Sequence, residues 1–294
     1  MTRSHPPTLI TIAERALRDE IEIRQGDHVL AAVSGGSDSM ALVSVLARLS
    51  RRHGFTVSAH GVDHGLRAGA GAELQVAERY CSELGVAFTR SELRVARGGN
   101  LQARARTARY DALERALVQC GATHIATAHH ADDRAETILL RLLRGTSAAG
   151  LAVLPPVSGN RVRPLIRARK SDVVRHVTRH RIPFSDDPSN RDPRFARTNV
   201  REQVLPLLES LSPRIVDHLN ALADELSRSK VALAAPGSEL TLPLLGMAQR
   251  AELAKMIARG SSSARVRVRG GKELRLDGEG RLVLANVAER EPGR

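Results

Sequence analysis

The sequence predicts an α/β fold: a parallel sheet with helices on both faces, followed by a helical linker and a small C-terminal α+β module. Three observations carry that prediction. Apolar runs of strand length recur at residues 29–33, 55–62, 86–93 and 123–128, and each is followed by a longer segment with apolar residues at helical spacing. Strands separated by helices of that length imply right-handed crossovers, which lay the strands parallel and cover both sheet faces. Three of the strands run directly into clusters of polar residues at their carboxyl ends, where ligands bind in such sheets.

Residues 8–23 open the chain as an amphipathic helix, with Leu9, Ile12, Ala13, Ala16 and Leu17 on one stripe and Gln25-Gly26-Asp27 ending it. The strand 29–33 meets Ser34-Gly35-Gly36-Ser37-Asp38-Ser39, and residues 40–49 continue as a helix. The second strand, 55–62, ends in the stretch from His60 to Arg67, and a helix covers 69–84. After the third strand, 86–93, an Ala- and Arg-rich helix spans 100–119 with Asn100 as its cap. The fourth strand, 123–128, leads through His129-His130-Ala131-Asp132-Asp133 into a helix over 134–143.

Beyond Gly145 the pattern changes. Pro155-Pro156 and Gly159 mark a loop before the segment 161–166, and 170–180 reads as a basic helix. That basic run fits a solvated face and an RNA contact equally. Helices follow over 200–211 and 213–233, with a linker from Ala234 to Ser238. Residues 242–257 read as a further helix, and 265–269, 272–277 and 281–286 alternate as short strands around a tight turn at 277–280. The expected organisation is a catalytic domain over 1–205, a helical linker over 206–236 and an α+β module over 237–294.

The 45 Lys and Arg against 32 Asp and Glu favour a polyanionic partner, with nucleic acid ahead of a membrane surface. With no Trp, two Tyr and four Phe, recognition should lean on arginine and backbone rather than on aromatic stacking. Cys81 and Cys120 have neither zinc nor iron–sulfur spacing and suit a reducing compartment. No stretch approaches a membrane span or a cleaved leader, so the expectation is a cytoplasmic protein without a membrane partner. A homodimer is left open.

The loop after the first strand has small side chains and permissive backbone, so successive N–H groups can converge on an anion at the start of the next helix. It lacks the lysine of G-x-x-x-x-G-K-[ST] and the spacing of G-x-G-x-x-G. Asp38, beside bound phosphates, would need an intervening cation. An ordinary strand-to-helix turn capped by Asp38 accounts for the same residues without a ligand. Asp133 and Glu136 stand three apart at a helix start, so both carboxylates can face the crevice, although helix N-termini attract acids for their own sake. Arg109 and Arg201 suit contacts to phosphate oxygens. His64, His129 and His130 read equally well as satisfied loop histidines.

Together these stretches resemble a known family. Ser34 to Ser39 is similar to the pyrophosphate loop of ATP pyrophosphatases. His60 to Arg67, Asn100 to Arg106 with Arg109-Tyr110, His129 to Thr137, and Asp187-Pro188-Ser189-Asn190 with Arg197 to Arg201 and Pro206 resemble signatures of tRNA(Ile)-lysidine synthetases, over about residues 28–210 and in the family's order. The resemblance implies an adenine nucleotide alpha-hydrolase-like fold, ATP and Mg2+. It also implies adenylation of the wobble cytidine of tRNA(Ile) bearing a CAU anticodon, and displacement of AMP by L-lysine. Ser34, Gly35, Gly36, Ser37, Asp38, Ser39 and His64 would then bind ATP, with Asp38 on the metal. Asp133 and Glu136 would hold the lysine, with His129, His130 and Arg144 at the substrate and Arg109 and Arg201 serving the transfer.

Ser37 stands where family members often carry an apolar residue, and the chain has the length of the family's short form. A tRNA 2-thiocytidine synthetase would need clustered cysteines that Cys81 and Cys120 do not provide. A non-catalytic nucleotide- or RNA-binding module would have no use for Asp38, Asp133 and Glu136 together.

Overall fold

Strand β1 (His28–Val33) is the axis of the fold, with β2 (Thr56–Asp63) paired to one side of it and β4 (His124–Ala126) to the other, both parallel. In this computed structural model the described residues are 7–63, 70–93, 101–185, 194–233, 265–268, 272–276 and 282–286. Strand β3 (Ala87–Glu92) extends the sheet parallel to β2, and β6 (Arg161–Val162) extends it parallel to β4. The order β3-β2-β1-β4-β6-β5 therefore reverses direction between β1 and β4, the switch point at which a crevice opens in sheets of this kind.

The parallel core agrees with the sequence prediction; one edge differs. Residues 155–159, expected as a loop, contain β5 (Val157–Ser158), which returns antiparallel on β6. Strands of two residues are too short to leave a periodic signal.

Alternation along β1 explains why both faces are covered. Val29, Ala31 and Val33 face a core built from α1 (Leu9–Ala16), α2 (Ser37–His53), α3 (Ala70–Leu84) and α7 (Lys170–Arg179). Leu30 and Ala32 face α4 (Leu101–Cys120) through Leu113, Ala116 and Leu117. Helix α2 is buried around almost its whole circumference from Ser39 to Ala47, because it packs against the sheet and three helices at once. Its buried Ser44 hydroxyl is matched by His176 Nε2 of α7 at 3.1 Å.

Helix α1 starts at Thr8, whose Oγ1 accepts the Thr11 amide at 3.3 Å, and it widens into a π-helical turn, Leu17–Ile21. A second π turn, Val200–Val204, joins α8 (Ala196–Asn199) to α9 (Leu205–Leu211), so the single helix expected over 200–211 is a composite. Helix α5 (Ala131–Leu143) begins three residues before the sequence suggested, α6 (Ala148–Leu151) follows it, and α10 (Ile215–Leu233) fills the last helical segment expected before the linker. No helix among the described residues is long and apolar enough to cross a membrane.

The chain divides into two compact units, Met1–Thr137 with Leu154–Asn220 and Ile138–Val153 with Ala221–Arg294. In the second, β7 (Arg265–Val268), β8 (Lys272–Leu276) and β9 (Leu282–Asn286) form an antiparallel meander within a residue of the expected strands. Its register puts positions Arg265 and Arg267 opposite Arg275 and Glu273 on one face, and Val266 opposite Leu274 on the other. The helix expected over 242–257 lies outside the described residues.

Candidate active site

The loop from Ser34 to Gly36 turns the chain from β1 into α2. Gly35 adopts φ +84°, and a Cβ there would lie 2.7 Å from the Glu73 carbonyl oxygen, so neither the turn nor the close approach of α3 admits a larger residue. Ser39 Oγ accepts the Ser34 amide at 3.2 Å and donates to the Gly36 carbonyl at 2.9 Å, which ties the loop shut from inside. No side chain caps α2, so its first amides remain available to an anion in a helix of 17 residues.

Across the switch point, α5 begins with a reciprocal cap: the His130 amide donates to Asp133 Oδ2 at 3.1 Å, and the Asp133 amide donates to His130 Nδ1 at 3.3 Å. Asp133 thus has two roles, because its Oδ1 accepts from Arg197 Nη2 at 2.8 Å. Glu136, one turn on, is 1% exposed. It accepts from Arg201 Nε at 2.6 Å and Nη2 at 3.0 Å, and from Arg197 Nε at 2.8 Å. Spacing did place both carboxylates on one face, and the structure adds a pair of arginines that clamp them.

Asp132, at the same helix start, faces the first turn of α7. It accepts from Arg169 Nη2 at 3.0 Å and from the Lys170 amide at 2.8 Å, while Arg169 reaches Glu209 at 2.5 Å. The Lys170 ammonium bonds to the Asp38 carboxylate and donates to Ser37 Oγ at 3.1 Å. A pocket of about 190 Å³ results, lined by Asp38, His130, Asp132, Glu136, Lys170 and Arg201, with Leu205 and Pro206 as its apolar wall. Hydrogen bonds among the described residues tie the carboxylates of Asp38, Asp132, Asp133, Glu136 and Glu209 to Arg169, Lys170, Arg197 and Arg201.

Burial opposes ionisation of Asp133, but the charges of His130 and Arg197 outweigh it and hold the carboxyl below its ordinary range. Burial likewise opposes the charge on Arg201, and the bond to Glu136 more than offsets it. His129 is different: burial, helped by Arg163, Arg109 and Arg106, pushes it down to about 4, so it is neutral at pH 7 and shares a 2.9 Å bond with Thr127 Oγ1. Beside it, Arg106 and Arg161 stack on the Tyr110 ring at 5.2 and 4.4 Å from its centroid.

The structure therefore brings Ser34, Gly35, Gly36, Ser37, Asp38, Ser39, His130, Asp133, Glu136 and Arg201 around one crevice. His129 and Arg109, whose charge helps hold His129 neutral, do not line the pocket. Arg144 is exposed just past the end of α5 and belongs to the second unit. His64 and residues 187–190 lie outside the described residues. Lys170, Arg169, Arg197, Asp132 and Glu209 were not singled out as site residues by sequence. For Arg197 a signal existed: it precedes Arg201 by four residues, the spacing of neighbours on one helix face.

The family described as the PP-loop domain matches residues 9–208. The tRNA(Ile)-lysidine synthase of Thermotoga maritima is 34% identical over 200 residues, which are 66% of this chain and 48% of that protein. The enzyme of the same name from Xanthomonas axonopodis is 41% identical over 211 residues, 70% of this chain and 47% of that protein. The one from a Bradyrhizobium species is 41% identical over 227 residues, 73% and 62%. The chain thus spans about half the length of the curated relatives it matches. Among solved structures, a U34-tRNA thiolase from Methanococcus maripaludis superposes with a TM-score of 0.61 at 16% identity, covering 78% of this chain and 80% of that one, and so shares the fold. Matched over two thirds of its length, and carrying the Ser34 to Ser39 loop at the switch point of a mostly parallel sheet, the chain belongs to the PP-loop family.

Proposed function

We propose that this chain is a tRNA(Ile)-lysidine synthase, which ligates L-lysine to C2 of the wobble cytidine in tRNA(Ile) with a CAU anticodon at the expense of ATP. One observation carries the reading: Asp38 of the phosphate loop and Glu136 of the acid pair line the same small pocket. Adenylation and the choice of an ammonium-bearing nucleophile would then occur within reach of each other.

In the first step the cytidine O2 attacks the α-phosphorus of ATP and the bond to pyrophosphate breaks. The uncapped amides of α2 stabilise the departing phosphates. Mg2+ fits this site as an ion shared between one carboxylate and the phosphates, rather than as the occupant of a protein cage, and Asp38 is the residue that would hold it. When bound it would neutralise charge on the leaving group. In the second step the lysine Nε attacks C2, the C2–O bond breaks and AMP leaves. The carboxylates of Asp133 and Glu136 favour the lysine ammonium, and Glu136, which lines the pocket, takes the proton released as the amine attacks.

The arginines around Tyr110 and His129 suit the RNA backbone flanking the reacting base. Residues 1–205 serve as the catalytic domain in this reading, 206–236 as a helical linker, and 237–294 as a small tRNA-binding module in a cytoplasmic enzyme. Sulfur transfer is disfavoured, because Cys81 is buried with its thiol pushed up to about 12 and Cys120 is remote from it in sequence. Incubation with ATP, Mg2+, radiolabelled lysine and total tRNA tests the proposal. Label in tRNA(Ile) is expected, and pyrophosphate release with no label would assign a different nucleophile.

A further inference from the structure

The phosphate loop lacks the lysine that a G-x-x-x-x-G-K-[ST] loop carries, yet a lysine ammonium stands on it. Lys170 arrives from α7, 132 residues after Asp38, and its Nζ touches both Ser37 Oγ and the Asp38 carboxylate. Its placement is built rather than incidental. The Lys170 amide is held by Asp132 at 2.8 Å, and the preceding Arg169 is held by Asp132 and Glu209. The first turn of α7 is therefore pinned to the start of α5, and the stem of Lys170 reaches across the pocket to the start of α2. Two of the three N–H donors of the ammonium are engaged among the described residues.

We infer that Lys170 is a phosphate-contacting residue of the ATP site, the loop's missing lysine supplied from a distant helix. Without nucleotide it balances Asp38. With a triphosphate bound, Asp38 would hold its divalent cation, and Lys170 would turn its ammonium to the phosphate oxygens while staying within reach of Ser37. The ion pair itself contributes little to folding, since both partners are over a third exposed. Fold stability therefore does not account for the placement of this lysine, whereas an anion on the loop does. This inference rests on the reading of the loop as an ATP site.

The test compares wild type with Lys170→Met and Lys170→Arg by calorimetric titration with the non-hydrolysable α,β-methylene analogue of ATP in Mg2+, beside nucleotide-free melting curves. Loss of one charged hydrogen bond predicts binding of the analogue about ten- to hundredfold weaker in Lys170→Met, with partial recovery in Lys170→Arg and melting temperatures unchanged. In EDTA, Asp38→Asn is expected to bind the analogue more tightly than wild type, because the freed ammonium has one anion left to meet. The double variant Asp38→Asn, Lys170→Met should lose that gain. Equal affinity of Lys170→Met and wild type overturns the inference alone, as does an affinity loss matched by an equal loss of nucleotide-free stability. No binding of the analogue by wild type overturns the ATP reading, and the inference with it.

Discussion

Asp38 and Glu136 sit in one pocket but under different constraints, and their substitutions should separate accordingly. Asp38 is partly exposed and bonded to a flexible lysine, so Asp38→Asn should fold normally and lose pyrophosphate release far more than tRNA retention on a filter. Equal loss in both assays would make Asp38 a structural residue. Glu136 is buried beneath two arginines that are each about two-fifths exposed. Glu136→Gln leaves those guanidiniums short of charge, and solvent screening limits the cost to about 1–3 kcal/mol of stability. Beyond that, lysine should be used about ten- to hundredfold less efficiently while adenylated tRNA accumulates. Parallel titrations of lysine and denaturant decide the matter. Lost adenylation with unaltered lysine use would move Glu136 out of the lysine site.

Single elements carry their own expectations. The turn between β1 and α2 depends on Gly35, where φ +84° and the Glu73 carbonyl at 2.7 Å from a built Cβ both oppose a side chain. Gly35→Ala should lower stability by about 1–3 kcal/mol and weaken nucleotide binding by displacing the loop, as melting and titration would show. The contact between α2 and α7 is sensitive to acid. Burial pushes His176 down to about 4, as it does His129, so both are folded as neutral rings. Their contribution is complete above the unfolded value of about 6.5 and is lost as pH falls toward 4. At pH 5 the combined loss should be roughly 2–4 kcal/mol, and His176→Gln should remove about half of it, measurable as urea midpoints at pH 7 and 5. The strand, glycine turn and helix start around Ser34 to Ser39 were legible in sequence, because each leaves a local pattern. The β5–β6 hairpin was not, since its strands are too short to have a period, and the π turns at Leu17–Ile21 and Val200–Val204 keep the apolar spacing of the helices they interrupt.

At the scale of the molecule, the formal net charge of +13 predicts RNA affinity that falls tenfold or more between 50 and 200 mM salt, and a flat response would remove the electrostatic reading. Asp133 and Glu136 were readable in sequence because they stand three apart at one helix start, whereas Asp132 beside them was passed over. Their partners were harder to see, because an ion pair between distant segments imposes no spacing on either. That same separation has a consequence in time. Asp132 precedes Arg169 by 37 residues, Asp133 and Glu136 precede Arg197 and Arg201 by 64 and 65, and Asp38 precedes Lys170 by 132. A ribosome adding about 5–20 residues per second leaves the α5 acids without their arginines for about 2–13 s, and Asp38 without its lysine for about 7–26 s. During translation the nascent sheet thus presents these carboxylates before the arginines and the lysine that bond to them have emerged. The crevice acquires the cations bonded to its carboxylates only when α7 and the chain beyond it emerge, so the candidate site is among the last parts of the first unit to be completed.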